Sequence, residues 1–238
     1  MSIGQTPADQ AAQFDSYADS YAEAVNQSIG FLGVKVDYFT RVKVDYMIDL
    51  LDTHFGGSDR VAMLDVGCGV GQSHPLYAPR LGSLTGTDVS APCLDRAAAR
   101  NPGVAYQAYD GTRLPWDDNR FDAVMTTCVM HHVPPAQWPQ FAAELARVVR
   151  PGGLVTVFEH NPFNPLTRRA VNTCPFDDDA VLLSQRRTRA LLRDAGLVNV
   201  QSRAILSIPP VGPVSRRVDL ALGHLSLGAQ YIAHGTVA

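Results

Sequence analysis

Lysine is almost missing from this chain: only Lys35 and Lys43 occur, so nearly every basic residue is arginine. The 20 basic residues are outnumbered by 23 acidic ones, a formal net charge of −3. That balance supplies no electrostatic case for a nucleic-acid partner. Cysteine is sparse as well. Cys68, Cys93, Cys128 and Cys174 lie far apart and form no C-x-x-C pair, which argues against a zinc site and against a disulfide framework. Free, mostly buried thiols in a reducing compartment are expected instead, and no metal. No apolar run approaches the ~20 residues of a bilayer-spanning helix, so no membrane partner is expected. The stretch Met1 to Pro7 has neither a basic n-region nor an apolar h-region. These absences together predict a cytoplasmic protein.

The chain has 238 residues, 46% hydrophobic and 18% charged, which fits one α/β domain with an added cap. Its organising stretch is Leu64-Asp65-Val66-Gly67-Cys68-Gly69-Val70-Gly71, which follows the apolar run Val61-Ala62-Met63. An apolar run, an acid and three alternating glycines predict a buried parallel strand and a turn whose backbone comes close to a ligand. The helix expected after Gly71 would add N–H groups favouring polar or negative ligand groups. A ligand-free turn is the plain alternative for this stretch taken alone. The dinucleotide fingerprint G-x-G-x-x-G is not met: the third glycine arrives one position early, at Gly71, and Gln72 occupies the required slot.

Strand and helix signals alternate onward from this turn. Upstream, a helix is expected over about Ala11 to Asn26, with an aromatic stripe of Phe14, Tyr17 and Tyr21. A longer one runs from Val36 to Phe55 and is closed by Gly56-Gly57. Strands are predicted at Ser83 to Asp88, Val104 to Tyr109, Phe121 to Val129, Leu154 to Glu159, Val198 to Ile208 and Ala229 to Val237. Helices are predicted around Leu94 to Arg100, Pro135 to Val149 and Ser184 to Asp194. Arg150-Pro151-Gly152-Gly153 reads as a breaker, and Asn161-Pro162-Phe163-Asn164-Pro165 as a loop. Asp88 ends its strand nineteen positions after Gly69, where a carboxylate can accept from both ribose hydroxyls; Ser90 serves better as the cap of the next helix.

Asp65-x-Gly67-x-Gly69-x-Gly71, with Asp88-Val89, Asp110-Gly111 before Leu114-Pro115-Trp116, Phe121-Asp122-Ala123-Val124 and Arg150-Pro151-Gly152-Gly153, resembles the class I S-adenosylmethionine-dependent methyltransferases. The resemblance covers Val61 to about Glu159 and extends to bacterial small-molecule members of type 11. It implies a doubly wound α/β fold with a seven-stranded, mostly parallel sheet and an antiparallel final strand. It further implies S-adenosyl-L-methionine as cofactor and S-adenosyl-L-homocysteine as product. In its pattern Asp65 helps hold the methionine amino group, and Gly67, Gly69 and Gly71 admit the cofactor to the backbone. Asp88, with Val89, meets the ribose, Asp110 with Gly111 meets the adenine, and Cys128 borders the sulfonium. No Asn-Pro-Pro-Tyr follows strand four, where Thr126-Thr127-Cys128-Val129 stands, so DNA-base methylation is disfavoured.

On this reading residues 1–57 form a helical cap, 58–208 the cofactor-binding core, 209–228 a cap insert and 229–238 the last strand. Methyl transfer to a hydroxyl needs a proton acceptor. The candidates are His160 first, then His132 and His131, with Glu159, Tyr17 and Tyr21 toward the substrate. The acceptor is expected to be a small molecule of bacterial specialised metabolism, methylated at oxygen first, carbon or nitrogen next, by a monomer or homodimer. A catalytically silent S-adenosylmethionine-binding protein is the alternative of another class.

Overall fold

The computed structural model describes residues 21–33, 35–175 and 177–238. Most of the expected aromatic helix, with Phe14 and Tyr17, lies outside these residues; its end is seen as α1, Tyr21–Ile29. Helix α2, Val36–Phe55, matches its expected limits, and Gly56, at φ +78°, donates its N–H to the Asp52 carbonyl. Among the described residues no helix is long and apolar enough to cross a membrane.

Seven strands form one sheet: β1 Ala62–Val66, β2 Ser83–Asp88, β3 Ala105–Ala108, β4 Phe121–Thr127, β5 Val149–His160, β6 Leu197–Ile205 and β7 Gln230–Val237. Their order is β3-β2-β1-β4-β5-β7-β6. All pairings are parallel except those of β7, which runs antiparallel to β5 and β6. The doubly wound sheet expected from the sequence is therefore present. Its order reverses between β1 and β4, and at such a switch point the loops leave in opposite directions and open a crevice.

Side chains alternate across the central strands and feed two cores. Val124, Val155 and Val157 pack with Trp138, Phe141, Leu145, Leu191 and Leu192. Those partners come from α5, Trp138–Arg147, and α7, Gln185–Asp194. Ala123, Met125, Leu154 and Phe158 face the other way, against Met47, Ile48 and Leu51 of α2. Both faces are covered, which is why the strands read as apolar runs.

Four elements depart from expectation. The segment after the glycine turn forms only one helical turn, α3 His74–Tyr77, too short to lend much dipole. Arg150-Pro151-Gly152-Gly153 ends α5 but lies inside β5 as a bulge: pairing steps from Phe121 with Val149 to Ala123 with Leu154. The Asn-Pro loop is shorter than predicted, because Pro165 opens a helix, α6 Pro165–Asn172. Asn164 caps it, its Oδ1 accepting from Leu166 N and Thr167 N, and proline is tolerated at a first position that needs no N–H. Strand β6 ends three residues early, since the N–H groups of Leu206, Ser207 and Ile208 all turn to the Asp219 carboxylate, at 2.6, 2.8 and 3.1 Å.

Asp219 sits on α8, Pro213–Leu222, the helix of the predicted insert. It is fully buried and also accepts from the Tyr46 hydroxyl of α2 at 2.6 Å. One turn earlier, Arg216 reaches Asp49 Oδ2 at 2.7 Å and Asp45 Oδ2 at 3.2 Å. The insert is thus clamped to α2 by two ion-assisted contacts. Helix α4, Ala91–Arg100, begins at Ser90, whose Oγ accepts from Cys93 N as predicted.

On β7, burial and the nearby charges of His54 and Arg203 hold the His234 imidazole down at about 4. The folded chain keeps it neutral, while the unfolded chain takes up a proton below the ordinary 6.5. Stability from this group is therefore complete above pH 6.5 and falls as the pH drops from there toward about 4. The urea midpoint of the wild-type chain should decline more steeply across that window than that of His234→Gln. Parallel curves would assign the acid sensitivity to other groups.

Candidate active site

The glycine turn leaves β1 in a conformation closed to most side chains: φ is +77° at Gly67, +52° at Gly69 and +63° at Gly71. A Cβ at Gly67 would stand 2.3 Å from Val129 Cγ2, so the turn after β1 touches the turn after β4. A Cβ at Gly69 would meet nothing within 4 Å, which leaves that backbone open to the cavity it lines. The turn is pinned from β2. Gly67 N and Cys68 N donate to the Thr87 carbonyl at 2.8 and 3.0 Å. Gly69 N donates to Asp88 Oδ2 at 2.8 Å, and Ser90 N to Asp88 Oδ1 at 3.0 Å. Burial pushes the Asp88 carboxyl up despite these donors. Asp88 and Val89 both border the cavity.

Asp65 is buried at the same wall. Its Oδ2 meets His74 Nε2 at 3.1 Å, and His74 Nδ1 meets the Tyr106 hydroxyl at 2.6 Å. Its Oδ1 is buried with no hydrogen-bond partner. A buried carboxylate oxygen without a donor is costly unless a ligand supplies one. An ammonium group does so, and the residues present fit the amino acid end of S-adenosylmethionine on this observation. Asp110 is engaged within its own turn through one oxygen. Its Oδ1 accepts from Thr112 N, Thr112 Oγ1 and Arg113 N, and these bonds hold the carboxyl below its usual value. Tyr109 and Gly111 line the cavity, whereas exposed Asp110 organises the turn beside them.

The opposite wall is built from the carboxyl ends of β4 and β5. Cys128 stands at φ +56°, its N–H donating to the Phe158 carbonyl at 2.8 Å. Burial alone would raise its thiol, but Lys43, with Nζ 3.9 Å from Sγ, and His160 outweigh it and hold it below the ordinary value. Three imidazoles follow: the His131 ring centre is 4.1 Å from that of His132 and 5.1 Å from that of His160. All three line the cavity. Glu159 does not. It is completely buried, its Oε2 2.6 Å from His131 Nδ1 and accepting from His160 N at 3.2 Å. The expected substrate contact is thus a residue that positions His131. On the other side of that ring Asp177 Oδ1 lies 3.6 Å from His131 Nε2 and 3.4 Å from His132 Nε2. Burial would lower His131, but the Glu159 charge and the two carboxylate contacts lift it well above its ordinary value. His132 is held down by burial and by its neighbour His131.

Between these walls lies a cavity of about 570 Å³, lined also by Ile29, Tyr38, Phe39, Leu166, Ile208 and Leu227. It brings together Gly67 and Gly69 with Asp65, Asp88, Val89, Gly111, Cys128 and all three histidines, whereas Gly71 faces Asn101, Tyr106 and His74 behind the wall. Tyr17 lies outside the described residues, and for Tyr21 the backbone alone is described. The sequence did not point to His74, to Asp177, or to Gln230, whose Nε2 lies 3.5 Å from His160 Nδ1 and 3.8 Å from Cys128 Sγ. His74 stands three positions past Gly71, close enough to have been considered. Asp177 has no local signal, being brought to the histidines by the fold.

Residues 64–157 match the model of a family described as "Methyltransferase domain". The chain is 31% identical over 173 residues to a demethylmenaquinone methyltransferase of Thermobifida fusca, covering 70% of this chain and 68% of that protein. It is 32% identical over 131 residues to a 2-methyl-6-phytyl-1,4-hydroquinone methyltransferase of Synechocystis, covering 52% of this chain and 40% of that one. Against other curated relatives it spans 49% of an uncharacterized Synechocystis methyltransferase and 65% of a demethylmenaquinone methyltransferase of Renibacterium salmoninarum. A solved structure of a SAM-dependent methyltransferase from Thermotoga maritima superposes with a TM-score of 0.67 at 17% identity, covering 96% of this chain and 100% of that one. At that identity the likeness speaks for the fold.

If Asp65 Oδ1 receives the ligand's ammonium, Asp65→Asn should weaken S-adenosylhomocysteine binding by about 1.5–3 kcal/mol, roughly ten- to a hundredfold in Kd. Calorimetry reads this directly. An unchanged Kd in a variant that melts like the wild type would assign the ammonium to other residues.

Proposed function

Because the chain belongs to the S-adenosylmethionine-dependent methyltransferases, a family of enzymes, we propose that it methylates a small acceptor with an apolar body and a reacting hydroxyl. S-adenosylmethionine supplies a sulfonium methyl carbon, which the acceptor oxygen attacks as the carbon–sulfur bond breaks and its electron pair stays on sulfur. The chain's own part is to hold both molecules in line and dry. Asp65 and Asp88 take the polar ends of the cofactor, and the glycine turn lets it lie against the backbone.

One observation carries the reading: His131, His132 and His160 line the same cavity as that glycine turn, with apolar side chains around them. A hydroxyl among these imidazoles has a proton acceptor within its own pocket, and the apolar lining suits a hydrocarbon or ring body. His160 takes the hydroxyl proton and passes it to water. His131, fixed by Glu159, orients the acceptor. The formal charge of −3 agrees with a small, uncharged acceptor better than with a polyanion.

Methylation at a ring carbon is the second reading. The relatives named for demethylmenaquinone and for a phytyl hydroquinone favour it. The two readings share the first step, loss of a phenolic proton, and differ in which atom then attacks.

Incubation with S-adenosylmethionine and a panel of phenols, hydroquinones and aliphatic alcohols should yield a singly methylated product, with nuclear magnetic resonance assigning the new methyl to oxygen or carbon. His160→Ala should lower kcat ~10²–10⁴-fold with S-adenosylhomocysteine affinity nearly unchanged. Tight cofactor binding without turnover of any acceptor would support the silent binding protein instead.

A further inference from the structure

The acceptor wall holds a second kind of order besides its histidines. Among the described residues, His131, His132 and Asp177 each offer one ligand atom, all within 4.8 Å of one another. We propose that these three residues bind a first-row divalent cation of the zinc type, with a further coordination position facing the cavity.

The spacing is the first argument. Asp177 Oδ1 stands 3.6 Å from His131 Nε2 and 3.4 Å from His132 Nε2. Charge-assisted N–H···O contacts close to roughly 2.7–2.9 Å when nothing lies between them. Donors bound at ~2.0–2.1 Å around a tetrahedral centre are instead about 3.4 Å apart. The same imidazole shows both distances. On its far side His131 Nδ1 closes to 2.6 Å on Glu159, while its near side stands off from Asp177.

The outer contacts are the second argument. A metal-bound histidine nearly always directs its other ring nitrogen to a carboxylate, carbonyl or water, which fixes ring and tautomer. Here His131 Nδ1 is held by Glu159, and His132 Nδ1 lies 3.8 Å from Asp179 Oδ1. The Glu159 contact thereby aims His131 Nε2 at the Asp177 oxygen, whereas the His132–Asp179 separation is longer than a hydrogen bond. The ligand side chains are enclosed, at 1%, 10% and 9% exposure. Asp177 is held by its own turn, Asp177 N donating to Cys174 O at 3.1 Å, and Val181 N ties the following chain to the His131 carbonyl at 2.8 Å.

The donor set is the third. Two imidazoles and one carboxylate suit zinc, cobalt or ferrous iron; magnesium and calcium favour oxygen throughout. Three protein ligands beside a cavity leave a position for an exogenous oxygen, as in catalytic rather than structural sites. The acceptor's hydroxyl fits that position. This last assignment rests on the methyl-transfer reading, whereas cation binding does not. The proposal departs from the sequence expectation of no metal, which was drawn from the cysteine spacing.

The test uses the full chain, stripped with a chelator and titrated with Zn²⁺ in a calorimeter. Co²⁺ is followed in parallel by its visible absorption. One equivalent of each metal should bind, with the intense cobalt bands of a four-coordinate nitrogen–oxygen site. Asp177→Asn and His132→Gln should abolish that equivalent, Glu159→Gln should weaken it about 10–100-fold, and His224→Ala, at an exposed histidine, should leave it intact. The wild-type cobalt spectrum decides the matter even where a variant fails to fold. Absence of a stoichiometric site, or a site indifferent to Asp177 and His132, overturns the inference. S-adenosylhomocysteine binding, measured on the same samples, separates the two ideas. Cofactor binding without metal leaves methyl transfer standing and removes the cation; metal without cofactor does the reverse.

Discussion

A carboxylate with no exposed surface, Glu159 at the end of β5, sets the geometry of the histidine wall. Strand β5 pairs with β4 on one side and β7 on the other, so Glu159 cannot swing out to water. An ion buried there without partners would cost several kcal/mol. Burial pushes its carboxyl up, but the His131 charge and hydrogen bond outweigh it and hold the group ionised. That demand fixes the His131 ring. The fixed ring in turn determines where Asp177 and His132 meet it, and which imidazole edge faces the cavity.

The sheet order gives this wall its counterpart. Strands β1 and β4 flank the reversal in β3-β2-β1-β4-β5-β7-β6, and the turns that follow them touch at Gly67 and Val129. The glycine turn and the histidine wall therefore stand on neighbouring strands of one sheet. On the glycine side the Asp65 Oδ1 is a polar atom for which the protein itself offers no hydrogen-bond partner.

The sequence told most about what is local. The glycine turn, Asp88 after β2, the Ser90 cap and the limits of α2 all depend on residues close in the chain, where steric and hydrogen-bond rules operate directly. Residues with two competing local roles were less legible. Pro165 breaks a strand yet also opens a helix, and Gly152-Gly153 end a helix yet are absorbed by a bulge. Asp110 has the identity of a ligand-binding acid, and one of its oxygens also organises the turn through Thr112 and Arg113. Asp177 was not legible as a site residue, because its importance comes from lying beside His131 in space. Glu159 was chosen for the right place and the wrong direction: strand pleating points it inward, behind the histidine.

The clamp between the insert and α2 also bears on the shape of the cavity. Asp219 gathers three backbone N–H groups at the end of β6 and one tyrosine of α2. Cavity-lining residues flank α8, Ile208 before it and Leu227 after it. Because Asp219 ties the end of β6 to α2 through this helix, a change that loosens α8 would shift Ile208 and Leu227 and so remould that end of the cavity. Gly67, Asp65 and Asp88 stand at other strands and keep their places.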